Sequence, residues 1–140
     1  HEIKCAVVKM LKSGQIIKTV AYTFVGIPFI YHYGLILKEK DKLFVIHNDR
    51  IKGTIKEPFK EFINNKGDKR VIAEIKYSNL QNLSNDELIL RFNKCKGKFD
   101  WFNYNCEHFI SCVERRKLKS EQLVLGSILA ISLVLILKLK

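Results

Sequence analysis

Residues 32–47 read His-Tyr-Gly-Leu-Ile-Leu-Lys-Glu-Lys-Asp-Lys-Leu-Phe-Val-Ile-His and decide the fold. Two apolar runs flank the charged segment 38–42, which is typical of a β-hairpin. If the turn is centred between Glu39 and Lys40, His32 and His47 lie directly opposite each other, with Cβ atoms about 5 Å apart on one face of the sheet. A loop with an odd number of residues would put them on opposite faces. The structural alternative is two unrelated polar positions on a half-exposed hairpin.

A cysteine begins the second informative stretch, Asn-Cys-Glu-His-Phe at 105–109. Asn105 is a good N-cap residue, and one helical face would hold Cys106, Phe109, Ile110 and Val113. Backbone N–H groups and the macrodipole at a helix start lower the pKa of a thiol from about 8.5 towards neutrality, so we expect Cys106 to be a nucleophile. The alternative is a small, buried apolar side chain on a core helix.

The base for this thiol has to come from another part of the fold. His108 lies two residues from Cys106, about 200° around a helix, so its imidazole points away from the thiol. The hairpin offers His32 and His47 as a base and a second group that orients it, which is the arrangement that nucleophilic catalysis requires.

Three motifs, in this order along the chain, resemble the lecithin:retinol acyltransferase-like family, which includes the phospholipase A/acyltransferases of the H-rev type. They are His-Tyr-Gly at 32–34, Val-Ile-His at 45–47 and Asn-Cys-Glu-His-Phe at 105–109. Segment 12–17 is similar to the segment that opens the family's domain, with Ser and Gln in place of Pro and Asp. The resemblance covers about residues 12–116.

This resemblance implies that Cys106 attacks an ester carbonyl, that His32 takes the thiol proton, and that His47 orients or polarises His32. The product would be an acyl-thioester on Cys106, formed without a cofactor. The family is also similar to NlpC-type peptidases with a permuted chain order. Here the histidines precede the cysteine, which favours the acyltransferase branch.

Aromatic residues at 99–104 lie just before the nucleophile, and they are either ordinary core or a wall of the acyl-chain site. The side chains that we expect to contact substrate are Tyr33, Trp101, Tyr104 and Asn105.

Hydrophobic alternation predicts mainly short strands, and capping patterns predict the helices. Ser-Asn-Asp-Glu at 84–87 opens a helix that ends near Lys96, with Gly97 as its C′ residue. A shorter helix is expected from about Pro58 to Asn65, and another begins at Asn105. Strands are expected at roughly 3–9, 15–24, 32–38, 43–48, 51–56 and 70–77.

Residues 123–137 contain no charge and no amphipathic period. As a helix this stretch spans about 22 Å against a hydrocarbon core of roughly 30 Å, so a buried core helix is one interpretation. A domain this small cannot surround such a helix, however, and Lys138 and Lys140 can snorkel to extend it. We therefore predict a catalytic domain at 1–122 and a single-pass C-terminal membrane anchor at 123–140. The basic run before the anchor indicates a cytoplasmic catalytic domain.

Together these observations predict an α+β fold. A small permuted NlpC/papain-like domain would pack an antiparallel sheet on the helix that bears the nucleophile, and a C-terminal transmembrane helix would follow. Cys5, Cys95 and Cys112 form no Cys-x-x-Cys pair and no zinc spacing, so we expect buried thiols in a reducing compartment and no bound metal.

The net charge of +11 favours attraction to anionic lipid head groups. Nucleic-acid binding is disfavoured because the lysines are scattered between apolar positions and no nucleic-acid motif is present. The predicted partners are a phospholipid substrate and a membrane. We expect a thiol acyltransferase or phospholipase A-type enzyme that cleaves glycerophospholipid esters and passes the acyl group to water, an amine or an alcohol. The alternatives are a cysteine amidase or peptidase on the same scaffold, and a tail-anchored interaction module without turnover.

Overall fold

The fold is built around an antiparallel sheet. This computed structural model describes residues 8, 10–24, 27–64, 70–100, 104–115 and 121–138. The elements are β1 (Ile16–Phe24), β2 (Ile27–Glu39), β3 (Lys42–Asp49), β4 (Gly53–Pro58), α1 (Phe59–Ile63), β5 (Val71–Lys76), a 3-10 helix (Asn79–Asn82), α2 (Asn85–Lys94), α3 (Cys106–Val113) and α4 (Glu121–Lys138). The five strands are arranged in the order β4-β3-β2-β1-β5. The predicted strand at 3–9 lies outside the described residues except at Val8, which is helical, so the strand prediction is wrong at this position.

The sheet buries apolar side chains on both faces because successive residues of a strand point to opposite sides. One face packs against α2 and α3 through a cluster that includes Leu35, Leu37, Ile46, Phe109 and Val113. The other face packs against α1 through Ile17, Ile36, Val45, Phe59 and Phe62. Both histidines of the β2–β3 hairpin lie on the α1 side of the sheet, where their rings contact Phe62.

The hairpin register differs from the predicted one by two residues. Gly34, not His32, is the partner of His47, and the last pair before the turn is Glu39 with Lys42. The turn is therefore only two residues long, with Lys40 at φ 53°, a left-handed conformation that suits the twist of the flanking strands. The predicted direct opposition of His32 and His47 is wrong. A shift of two residues keeps the side chains on one face, however, so the two histidines are diagonal neighbours.

Capping side chains begin the two longer helices next to the sheet. The Ser84 hydroxyl accepts a hydrogen bond from the backbone N–H of Glu87 at 3.2 Å and begins α2. The Asn105 side chain accepts hydrogen bonds from the backbone N–H groups of Glu107 and His108, so α3 starts at Cys106 as predicted. These caps satisfy N–H groups that have no partner inside the helix.

The C-terminal helix α4 corrects two predictions. Across the described residues, no helix combines the length and the apolar character that a membrane crossing requires. The predicted transmembrane helix and the predicted single-pass anchored location are therefore wrong. The uncharged stretch at 123–137 spans only about 22 Å as a helix, shorter than a hydrocarbon core of roughly 30 Å. The orientation inferred from the neighbouring basic run loses its basis as well.

The cysteines correct another prediction. Cys95 and Cys112 form a disulfide, with Cα atoms 5.9 Å apart, and are not free thiols. Cys95 caps the end of α2, and Cys112 lies in the last turn of α3, so only the packing of these helices brings the two together. Cys5 lies outside the described residues.

Loss of the Cys95–Cys112 disulfide should destabilise the domain. The bridge closes a loop with a sequence separation of 17. A loop of this size constrains the unfolded chain by about 3 kcal/mol. We expect the Cys95→Ser/Cys112→Ser double variant to lose about 2–4 kcal/mol of unfolding free energy, measured by denaturant titration. Dithiothreitol should lower the stability of the unchanged protein to the same level and leave the double variant unaffected. Equal stability of both proteins without reductant would contradict this role.

The close approach of β2 and β3 can be tested at Gly34. A Cβ atom built there lies 2.4 Å from Val45 Cγ1, on the neighbouring strand. Gly34→Ala should therefore cost about 1–3 kcal/mol of unfolding free energy through overpacking. The matched control is Gly126→Ala, where a Cβ meets nothing within 4 Å. In an exposed helix this change should be neutral or stabilising by up to about 1 kcal/mol. Equal effects of the two substitutions in denaturant titrations would contradict the contact.

Candidate active site

Three side chains from neighbouring strands form a hydrogen-bonded chain on the α1 side of the sheet. His32 Nε2 lies 2.8 Å from His47 Nδ1, and His47 Nε2 lies 2.7 Å from Glu57 Oε1. The strands β2, β3 and β4 each provide one member. His47 is fully buried, whereas the side chain of Glu57 is 19% exposed. The hydrogen bonds therefore connect the partly exposed Glu57, through the buried His47, to His32.

The two hydrogen bonds determine which ring nitrogen of His32 is free to act as a base. An ionised Glu57 only accepts, so His47 donates its Nε2–H to it. Neutral His47 then carries a lone pair on Nδ1, and His32 donates its Nε2–H to that nitrogen. The remaining nitrogen of His32, Nδ1, keeps its lone pair. This tautomer assignment makes Nδ1 the basic atom.

Electrostatics keeps His32 neutral and Glu57 ionised. Burial among surrounding protein atoms lowers the pKa of His32 well below 6.5, and the interactions of His32 with His47 and with the Arg70 guanidinium lower it further. His32 still retains some solvent-accessible surface. The hydrogen bond from His47 is the largest influence on Glu57 and holds the pKa of its carboxyl below the usual value. At neutral pH the imidazole of His32 can therefore accept a proton.

Phe62 and Arg70 surround the histidine pair. The ring centroid of Phe62 lies 5.8 Å from that of His32 and 5.0 Å from that of His47. The guanidinium carbon of Arg70 lies 4.6 Å from the centre of the Phe62 ring. Arg70 Nε is buried and has no hydrogen-bond partner among the described residues. A positive charge thus lies next to the histidine pair and disfavours the protonation of His32.

Cys106 lies beside the strand segment that carries His32. Its Sγ atom lies 3.8 Å from the carbonyl oxygen of Tyr31 and accepts a hydrogen bond from the backbone N–H of Tyr33. These two residues flank His32 in the sequence. In the part of the chain that is described, no hydrogen bond joins the Cys106 thiol to the His32 ring. The thiol therefore lies at the edge of β2, beside the two residues that flank His32.

Burial dominates the ionisation of Cys106. It raises the pKa of the thiol to about 11, although the hydrogen bond from the Tyr33 backbone and the N–H groups at the start of α3 lower it. The expected shift towards neutrality is therefore wrong, because the loss of solvent outweighs the favourable helix end. At neutral pH the group is a thiol, and it needs a base to become a nucleophile.

Four residues were expected to contact substrate, and the three that the structure describes lie in different parts of the fold. Tyr33 packs against the cluster under α2 and α3. Tyr104 donates its hydroxyl to the carbonyl of Cys95 and lines a cavity of about 380 Å³ beside the disulfide. Asn105 is buried as the cap of α3. Trp101 lies outside the described residues.

Three residues of this neighbourhood were missed by the sequence analysis, namely Glu57, Arg70 and Gln122. Glu57 could have been found from its strand, because it lies on the same face as His47 once the β3–β4 register is known. Arg70 and Gln122 come from segments that the sequence does not connect to the histidines. Within the described ranges, no group of three or more His, Cys, Asp or Glu side chains is placed to hold a metal ion.

No protein-family model matches the chain, and no curated protein matches it either. The resemblance to the lecithin:retinol acyltransferase-like family therefore rests on the three motifs themselves, and the permuted NlpC/papain-like relationship stays a prediction.

The substitution Glu57→Gln tests the proton order of the histidine chain. A Gln amide can donate to His47 Nε2, which reverses both hydrogen bonds and puts a proton on His32 Nδ1. The Cys106 thiol then has no base. We expect its alkylation by iodoacetamide at pH 7, followed by peptide mass spectrometry, to slow by about 10²-fold or more.

The matched control for this test is Glu39→Gln, which removes a carboxylate from a partly exposed ion pair with Lys56. Its alkylation rate should equal that of the unchanged protein. Equal alkylation rates in Glu57→Gln and in the control would show that the hydrogen-bonded residues His32, His47 and Glu57 do not act on Cys106.

Proposed function

We propose that this protein is a thiol acyltransferase or phospholipase A-type enzyme that cleaves glycerophospholipid esters through an acyl-thioester on Cys106. One observation carries the proposal. A relay of His32, His47 and Glu57 ends next to the strand edge at which the Cys106 thiol lies. A nucleophile, a base and a group that orients the base are the components of covalent catalysis.

The resting state requires base catalysis. A thiol with a pKa of about 11 is almost wholly protonated at neutral pH, whereas His32 is neutral and can take its proton. The imidazolium that forms on His32 is stabilised by His47 and, through it, by the carboxylate of Glu57. The relay thus compensates for the burial that makes the isolated thiol unreactive.

The acylation half-reaction follows from these roles. Sγ of Cys106 attacks the ester carbonyl, and the tetrahedral intermediate collapses with cleavage of the C–O bond. The departing alkoxide takes the proton from His32, and the acyl group stays on Sγ as a thioester. In the second half-reaction, water, an amine or an alcohol attacks the thioester and gives its proton to His32. The C–S bond breaks, and the departing thiolate of Cys106 takes this proton from His32.

Charge and sequence motifs support phospholipid esters as the substrate class. The net charge of +11 attracts a surface of anionic head groups, at about 1 kcal/mol for each basic residue near it. The motifs at 32–34, 45–47 and 105–109 resemble those of enzymes that act on acyl lipids.

Mixed phospholipid vesicles test the proposal directly. After incubation, intact-mass and peptide mass spectrometry should show an acyl group on Cys106, together with released lysophospholipid. Cys106→Ser should lose about 10³-fold or more of the turnover, because His32 cannot generate a comparable nucleophile from an alcohol. The acid limb of the pH–rate profile should lie well below pH 6.5, because the base loses activity only when His32 is protonated.

The control is the Cys95→Ser/Cys112→Ser variant, which keeps Cys106 as the nucleophile. It should retain acylation at a temperature at which it is folded. Full turnover in Cys106→Ser, or no adduct on Cys106 after incubation with any vesicle, would overturn the proposed function.

A further inference from the structure

The side chain of Gln122, in the first turn of α4, is paired with the backbone of Tyr31. The backbone N–H of Tyr31 donates to Gln122 Oε1 at 2.8 Å, and Gln122 Nε2 donates to the carbonyl oxygen of Tyr31 at 3.2 Å. Both polar groups of one strand residue are thereby satisfied by one carboxamide. A residue of a neighbouring antiparallel strand makes the same two hydrogen bonds with its own N–H and C=O.

This edge of β2 is open because β3 separates from β2 beyond the Gly34–His47 pair, although β3 stays paired with β4. β3 pairs with β2 from Glu39 back to Gly34, whereas β2 continues to Ile27 beside β1. Tyr31 and Tyr33 are two residues apart, so their backbone groups point to the same side, the side that β3 leaves. Gln122 occupies this position at Tyr31.

The carboxamide of Gln122 lies directly beside the nucleophile. The carbonyl oxygen of Tyr31 accepts from Gln122 Nε2 and also lies 3.8 Å from Cys106 Sγ. The backbone N–H of Gln122 donates to Glu107 Oε2 at 3.2 Å, in the first turn of α3. Any group that replaces the Gln122 side chain at Tyr31 is therefore held next to the thiol.

The attachment of Gln122 is local. From Val124 to Leu137 the side chains of α4 are exposed, so the described contacts of this helix with the sheet and α3 are concentrated in its first turn. Rotation of one side chain frees the Tyr31 backbone without unfolding any strand. An exchangeable occupant is compatible with a binding subsite.

We infer that the Tyr31 edge of β2 is the acyl-acceptor subsite and that it takes the amino-terminal end of an extended peptide, whose backbone Gln122 imitates. The inference rests on the proposed function, which leaves the acceptor open. The second residue of the peptide pairs its N–H and C=O with Tyr31, as in β-strand addition. One residue spans roughly 3.3–3.6 Å, so the amine of the first residue reaches the thioester on Cys106. Water and simple alcohols donate and accept through a single oxygen, so they lack the separate N–H and C=O that pair with both backbone groups of Tyr31.

The chemical step is aminolysis of the thioester. The amine nitrogen attacks the thioester carbonyl, a C–N bond forms and the C–S bond breaks. The amine proton passes to His32 and from there to the thiolate of Cys106. The products are an N-acylated peptide and the free thiol.

A matched pair of acceptors tests the subsite. Cys106 is first acylated with p-nitrophenyl octanoate, and the thioester is then exposed to glycyl-alaninamide or to its ester isostere, glycyl-lactamide, at equal free-amine concentration. The isostere keeps the carbonyls but replaces the second-residue N–H by oxygen, so it cannot donate to Tyr31. We expect aminolysis by the dipeptide to be at least about tenfold faster, since one buried hydrogen bond is lost in the isostere.

The variant Gln122→Met preserves side-chain length and helix propensity but cannot pair with Tyr31. It should raise the rate with the dipeptide severalfold and leave the rate with the isostere unchanged. Ser127→Ala is the control, because the Ser127 hydroxyl donates to the Leu123 carbonyl of its own helix. It should change neither rate. Equal rates for the two acceptors, or an unchanged dipeptide rate in Gln122→Met, would overturn the acceptor subsite.

A second measurement separates this inference from the proposed function. Hydrogen exchange at the Tyr31 amide, followed by NMR, should accelerate in Gln122→Met. Addition of glycyl-alaninamide should restore its protection, whereas glycyl-lactamide should not. Absence of a p-nitrophenol burst would overturn the proposed function and with it the acceptor role, whereas protection of the Tyr31 amide would still report peptide binding at this edge. Absence of protection by the dipeptide would overturn the peptide subsite, whatever the chemistry at Cys106.

Discussion

The pairing of Gly34 with His47 is the contact on which the site depends. Gly34 has no Cβ, and a Cβ there would lie 2.4 Å from Val45, so β2 and β3 can approach each other at this point. The pair places His47 diagonally across from His32, within 2.8 Å between ring nitrogens. It is also the last β2–β3 pair before the strands separate. One backbone contact thus determines both the histidine relay and the open edge that receives Cys106.

In the resting protein the nucleophile, Cys106, and the base, His32, are both uncharged. Burial raises the pKa of the Cys106 thiol to about 11 and lowers the pKa of His32 well below 6.5, so an ion pair between them is disfavoured in the resting protein. After the thiol proton has moved to His32, the Glu57 carboxylate stabilises the imidazolium indirectly, through its hydrogen bond with His47. Because the thiolate is the reactive form, oxidation and alkylation of Cys106 depend on proton removal by a base. Its nucleophilicity therefore depends on His32.

The helix that carries the nucleophile is held at both ends. Asn105 caps its start and so aligns Cys106 with the edge of β2, while the Cys95–Cys112 disulfide ties its last turn to α2. Between these ends, Phe109 and Val113 are fully buried against the sheet. The position of a thiol at a strand edge is precise only if its helix cannot slide, and these three attachments prevent sliding. Gln122 adds a fourth contact to this helix, because its backbone N–H donates to Glu107 in the first turn of α3.

The sequence alone determined the features that depend on neighbouring residues. The Asn105 cap, the start of a helix at Cys106, the strands around the hairpin and the shared face of His32 and His47 all follow from hydrogen bonds and periodicities within a few residues. Tertiary structure decided what depends on distant partners. The two-residue turn moved the register, β4 brought Glu57 to His47, and helix packing joined Cys95 to Cys112. The pKa of Cys106 and the contact between Tyr31 and Gln122 belong to the same class, because desolvation and edge pairing arise only when segments far apart in the chain come together.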